Sequence, residues 1–179
     1  WSTLTTTLDT VAGDNVGINL TGLSDFQEIT GDRTRLSWSA DKFYKGTVEL
    51  TTITPTTSDT ISKGNWQAVT LNDHHYFYQR GYIPLIYTND VLDGHNFGTG
   101  TAGSIDISSV LTRGADEIVA LGAHNGYLII FCKENIIIYG DGDNFQTAMS
   151  TTSLTLVEVI EGVGCIARDS IQNTGEDIL

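Results

Sequence analysis

The sequence predicts an all-β protein of propeller-like antiparallel blades, each about 50 residues long, forming a partial propeller or a fragment of a larger chain. Three observations predict it. The first is composition: 25 Thr, 12 Ser, 10 Asn and 19 Gly stand against only 2 Pro in 179 residues, a balance that suits strands joined by tight turns and disfavours helices. The second is an antiparallel meander of three strands legible in residues 117–139. The third is a spaced repeat of an aromatic-ended strand followed by an Asp-containing turn. With 40% apolar and 9% aromatic residues the chain can fill a core, which excludes global disorder.

Taken in order, residues 1–34 are rich in Thr, Gly and Asp, weakly periodic, and read as an irregular segment of short strands and loops. A propeller-like β domain is expected over residues 35–179, with blade elements near 35–53, 66–97, 104–145 and 153–179. Leu36 to Ser39 forms a short strand around Trp38, and Thr47 to Ile53 alternates in the strand period. Residues 54–64 are a polar loop. Trp66 to Leu71 and His75 to Gln79 make a hairpin across Asn72-Asp73-His74, and Tyr82 to Tyr87 continues as a strand whose Pro84 hints at an edge or bulge. Ile118, Val119 and Leu121 lead to Asn125-Gly126, the strongest short hairpin signal, because both residues tolerate positive φ in a type I′ turn. Tyr127 to Cys132 and Ile136 to Tyr139 follow as apolar runs, which implies strands covered on both faces. A last pair of strands is expected at Leu154 to Ile160 and Cys165 to Ile171, and no segment shows helical periodicity.

The repeat has three copies: Leu36-Ser37-Trp38 with Asp41 and Phe43; Leu85-Ile86-Tyr87 with Asp90 and, after an insertion, Phe97; and Ile138-Tyr139 with Asp141 and Phe145. Trp38, Tyr87 and Tyr139 lie 49 and 52 residues apart, the length a blade of about four strands requires. Each small sheet has two apolar faces and is stable only between neighbours. A large β-sandwich is the competing architecture. Because closed propellers use about 4 to 8 blades, 179 residues are expected to be part of a larger polypeptide.

Charge removes several functions. Twenty-two acids against nine Lys and Arg give a net charge of −13, which excludes a surface that grips phosphate backbones. No apolar run reaches the roughly 18 residues of a membrane-spanning helix. The N-terminal Trp1-Ser2-Thr3-Leu4 has neither an initiator Met nor a secretory pattern. Cys132 and Cys165 read as two buried thiols rather than a disulfide, in the absence of any metal-type Cys spacing. The triplet Asn19-Leu20-Thr21 is expected by chance in so Thr-rich a chain.

The blade elements, together with Gly103-Ser104-Ile105-Asp106-Ile107, residues 116–121, Asn125 to Phe131, Ile136 to Tyr139, residues 162–168 and residues 175–179, resemble one family. It is the nozzle proteins (tail tubular protein B) of short-tailed bacteriophages, with the related packaged-DNA stabilisation proteins. The resemblance covers about residues 82–179 well and 25–53 loosely. It implies a non-enzymatic virion structural protein of the phage tail, a β-propeller-bearing subunit of a homohexameric ring below the portal and adaptor. Such a ring forms a DNA conduit that retains the packaged genome and lets it pass on ejection. Implied partners are other copies of the chain, the portal/adaptor and other tail proteins, with double-stranded DNA enclosed but not specifically bound. The acidic charge fits, since a negative lumen repels phosphates and lets DNA slide. From residue 114 onward ten acids face only Lys133 and Arg168.

The residues that carry the resemblance are Trp38, Asp41, Phe43, Tyr87, Asp90, Phe97, Asn125, Gly126, Tyr139 and Phe145. None of them is a catalytic candidate, and no cofactor is implied. Asp141, Asp143 and Asn144 could offer oxygens to Ca²⁺, yet no Glu follows at the spacing of a calcium loop, and a plain blade turn is the favoured reading. His74 and His75 point to opposite faces if they sit on one strand, so they cannot share a metal, and a turn and interface role is expected. Trp38, Trp66, Tyr127 and Phe131 read as core fillers. No Ser-His-Asp set, phosphate loop, HExxH or sialidase-type Asp-box is present. The competing function is a carbohydrate-binding or carbohydrate-cleaving β-propeller of a secreted or surface protein, argued from fold-level promiscuity alone.

Overall fold

The structure, a computed structural model, describes residues 22–28, 30–38, 43–45, 48–50, 66–71, 74–79, 85–90, 100, 102–112, 114, 116–141, 154–173 and 178. They form three antiparallel sheets of four strands each. The first contains β1 (Gly22–Gln27), β2 (Arg33–Trp38), β3 (Phe43–Lys45) and β4 (Val48–Leu50), and the second β5 (Trp66–Leu71), β6 (His74–Gln79), β7 (Leu85–Thr88) and β8 (Gly103–Asp106). The third holds β9 (Ile118–His124), β10 (Tyr127–Cys132), β11 (Asn135–Asp141) and β12 (Leu154–Glu161). Every strand pairs with its sequence neighbour, so each sheet is a simple meander. The protein is all-β: the described residues include no α-helix and only a single 3₁₀ turn at Arg168–Ser170. The three described sheets do not close into a ring or barrel.

The local chemistry explains the clearest elements. Asn125 has φ of 48° and Gly126 of 80°, the left-handed pair of a type I′ turn, and His124 faces Tyr127 across it. On β10, Leu128, Ile130 and Cys132 are fully buried while Ile129 and Phe131 are half-buried, so one face takes the core and the other is only partly covered. Trp66–Leu71 forms with the bounds expected for the first arm of its hairpin, with Trp66 facing Gln79 and Leu71 facing His74, which joins the second arm.

Sheets meet through their first strands: β1 touches β5, and β5 touches β9. The main core lies between the second and third sheets, where Tyr76, Tyr78, Ile86, Ile107, Leu128, Ile130 and Ile137 are fully buried. At about 1.5–3 kcal/mol per buried side chain of this size, that interface is what holds the two sheets together.

Several boundaries differ from those the sequence suggested. The first sheet begins at Gly22, so β1 and the start of β2 precede residue 35. Only Phe26 of β1 is buried, which leaves no strand period to read. Residues 104–106 belong to the second sheet and 154–161 to the third, because β8 and β12 join their sheets after connections long enough to break the local signal. Cys165 to Ile171 is not a strand. Gly162 adopts φ of 77°, turning the chain back, and a Cβ on Gly164 would sit 2.0 Å from the Lys133 carbonyl oxygen. That close backbone approach leaves room for one ladder-like bond, Cys165 N–H to Cys132 O at 2.8 Å. The chain then coils into the 3₁₀ turn, where the Ser170 hydroxyl donates to Ala167 O at 2.6 Å.

Candidate functional site

The residues of the sequence repeat do not converge on one place. Trp38 ends β2, the second strand of its sheet, whereas Tyr87 and Tyr139 lie on third strands. Spacing in the sequence thus aligned a second strand with two third strands. The first residues of β1, β5 and β9 lie 44 and 52 residues apart, and these mark the structural repeat. Phe43 opens β3 opposite Trp38, and Tyr87 pairs with Phe77 and Ser104. Asp141 closes β11 opposite Leu154. Asp41, Phe97, Asp143, Asn144 and Phe145 lie outside the described residues. Tyr127 is not a core filler: it is 41% exposed, and its ring lies over Gly140, where a Cβ would come within 2.8 Å of it.

One polar cluster is buried where β6 begins and β7 ends. His75 and Phe77 face the first sheet. Ser24 Oγ and His75 Nδ1 share a hydrogen bond of 2.9 Å, the Phe26 and His75 rings lie 4.4 Å apart, and Trp38 meets Phe77 edge-on at 5.7 Å. Asn89 ties the cluster together. Its Oδ1 accepts the His75 backbone N–H at 2.6 Å, and its Nδ2 donates to Asp90 O at 2.8 Å. The Asn89 carbonyl lies 2.8 Å from His74 Nδ1. A carbonyl only accepts, so His74 Nδ1 carries the proton and is not a metal-ligating nitrogen. The two histidines point to opposite faces: His75 meets the first sheet, whereas His74, the first residue of β6 rather than part of a turn, is held within its own sheet by Asn89 O and by an edge contact with Tyr76. Asp90 is 8% exposed and presses on Gly100, whose φ is 70° and where a Cβ would fall 1.9 Å from Asp90 Oδ2. The Asp of the repeat here closes a connection.

A second arrangement seals the free edge of β9. Val119, Leu121 and Ala123 direct their backbone groups away from β10. Val119 O accepts from the Tyr78 hydroxyl. Leu121 N–H donates to Gln67 Oε1 at 3.4 Å, and Ala123 O accepts from Asn173 Nδ2 at 3.4 Å. Ile178 reaches the same strand, since a Cβ on Gly122 would lie 3.2 Å from its Cδ1. Side chains from neighbouring segments thus replace a strand along this edge.

The third feature is an open cleft of about 460 Å³ at the far end of the third sheet, lined by Leu111, Thr112, Asp116, Glu134, Asn135 and Glu161, with Gly114 and Gly162. Asp116 organises it: Oδ1 accepts Glu117 N–H at 2.8 Å, and Oδ2 accepts Glu134 N–H and Asn135 Nδ2 at 2.9 Å each. Thr112 Oγ1 donates to Glu161 Oε1 at 3.0 Å, and Lys133 pairs with Glu117. Burial pushes the nearby Cys132 thiol up to about 12, with the Asp116 charge adding to the effect. Among the described residues, no group of three or more His, Cys, Asp or Glu is arranged to hold a metal ion. Of the cleft acids, Asp116 is held by turn donors and Glu161 by the Thr112 hydroxyl.

Gln67, Tyr78, Asn89, Asp116 and Asn173 organise these sites, and sequence reasoning passed over all five. Each acts across 15 or more residues of sequence or through a turn it does not itself signal. Compared with protein-family models, with curated proteins and with solved structures, the chain matches none.

Proposed function

We propose that the chain is a structural, non-enzymatic subunit of the tail nozzle of a short-tailed bacteriophage. In this reading its three sheets are consecutive blades of a propeller, and copies assemble into a homohexameric ring below the portal and adaptor. The observation that carries the reading is the stacking of consecutive four-stranded meanders through their first strands, β1 on β5 and β5 on β9. That is how blades meet around a propeller axis, and Ile178 contacts β9 where a following first strand would. Sealing of β9 by side chains supports a permanent stack rather than a mobile edge. The net charge of −13 supports a conduit that encloses DNA without holding it.

A carbohydrate-handling propeller is less well supported. Sugar sites set an aromatic platform beside their acids, and among the described residues no aromatic lines the acidic cleft. The test is the mass of the native assembly together with a glycan-binding screen. A single species at six times the chain mass with no saturable glycan binding is expected. A monomer that binds sugars saturably overturns the proposal.

A further inference from the structure

The two edges of the third sheet are treated in opposite ways. The β9 edge is closed at Val119, Leu121 and Ala123 by Tyr78, Gln67 and Asn173. The other edge is β12, at eight residues the longest strand of the described sheets. It pairs with β11 on one side, and among the described residues no backbone bond reaches its other side. Four consecutive residues, Thr155 to Glu158, are exposed, with Leu156 at 46% and Val157 at 53%. Val157 is the extra residue of a bulge, since Ile138 faces Glu158 and Tyr139 faces Leu156. It lies on the face that carries the exposed Tyr127, because both side chains crowd Gly140.

Charge decides what fits there. Along and beyond β12 stand Glu158, Glu161 and the cleft acids Asp116 and Glu134, while Lys133 is engaged by Glu117. A second copy would bring its own Glu158 and Glu161 against these, and like charges facing each other across strands are destabilising. We infer that β12 is a docking edge for an extended segment of another protein that alternates basic with apolar residues. The segment adds to the sheet as a fifth strand, covers Leu156 and Val157, and places a Lys or Arg beside Glu161 in the cleft. Main-chain bonds then give affinity and the acids give selection and on-rate. This inference stands independently of the nozzle reading.

The test uses the intact chain and a fluorescein-labelled peptide alternating lysine with valine, matched to β12 in length and read by fluorescence anisotropy. Two peptide controls are the glutamate-for-lysine version and the lysine peptide methylated on alternate backbone nitrogens. Saturable binding is expected for the lysine peptide alone. Glu158→Lys combined with Glu161→Lys should weaken it at least about tenfold, and Val157→Asp should weaken it by a similar factor. All these positions are exposed, and circular dichroism confirms that the variants keep their sheets. Equal binding of the glutamate or the methylated peptide overturns the inference, the first by denying charge selection and the second by denying strand addition. A chain that dimerises until Val157→Asp makes it monomeric also overturns it, because the edge is then a contact between copies.

Discussion

Tyr78→Phe isolates the bond that joins the second sheet to the free edge of the third. The substitution keeps the ring, which is fully buried in the core between the sheets, and removes only the hydroxyl that donates to Val119 O. Val119 is fully buried, so water cannot take the hydroxyl's place. The loss of one net hydrogen bond costs about 1 kcal/mol, and leaving the carbonyl unsatisfied brings the total to about 2 kcal/mol. For a domain of this size that is a fall in Tm of about 4–8 °C. Urea unfolding should show a lower midpoint at an unchanged m-value, because the surface exposed on unfolding does not change. Gln67→Met removes a longer bond, 3.4 Å, to Leu121 N–H, and should cost less, about 0.5–1 kcal/mol. If Tyr78→Phe unfolds within about 0.3 kcal/mol of the parent chain, side-chain sealing of β9 is not what couples the sheets.

Three further outcomes follow from other parts of the molecule. Gly164→Ala places a Cβ against Lys133 and Glu134 backbone atoms at 2.0–2.6 Å; it should free the Cys165 amide to exchange with deuterium and destabilise by about 1–3 kcal/mol, and an amide as protected as before refutes the close approach. In the folded chain at pH 8, a disulfide exchange reagent should modify Cys165, which is partly exposed, and spare the buried Cys132, whose thiol burial pushes up to about 12; two equivalents reacting without denaturant contradicts that. The same shift sets a pH dependence: above about pH 9 the unfolded chain gives up a thiol proton that the folded chain keeps, so stability falls as pH rises from about 9 to 12, by at most about 1.4 kcal/mol per unit for this group. Burial raises the Tyr76 and Tyr139 hydroxyls as well, with the Asp106 charge adding at Tyr139, so the alkaline fall should persist in Cys132→Ala with a shallower slope in urea titrations.

What the sequence made legible was local. Asn125-Gly126 announced its turn because two left-handed residues have few other uses, and Trp66 to Leu71 kept its bounds, with a large apolar residue buried at each end. β1 was opaque, since Gly22, Ser24 and Asp25 are poor strand formers and the strand exists by pairing with β2. Residues 165–171 carried apolar spacing without the room to form a ladder, a constraint that resides in Gly164 pressing on the Lys133–Glu134 turn. The interface roles of His75 and Asn89 depend on Ser24 and on one another, 51 and 14 residues away, and no local pattern encodes such distances.

The central claim is that these stacked meanders are blades of a ring-forming tail subunit that encloses DNA without binding it. Electron microscopy of the native assembly, with duplex DNA added at physiological salt, tests it most directly. The account predicts sixfold rings with an open lumen and no DNA retained on their outer surface. Isolated single-chain particles, or rings that hold DNA on their exterior, would contradict it.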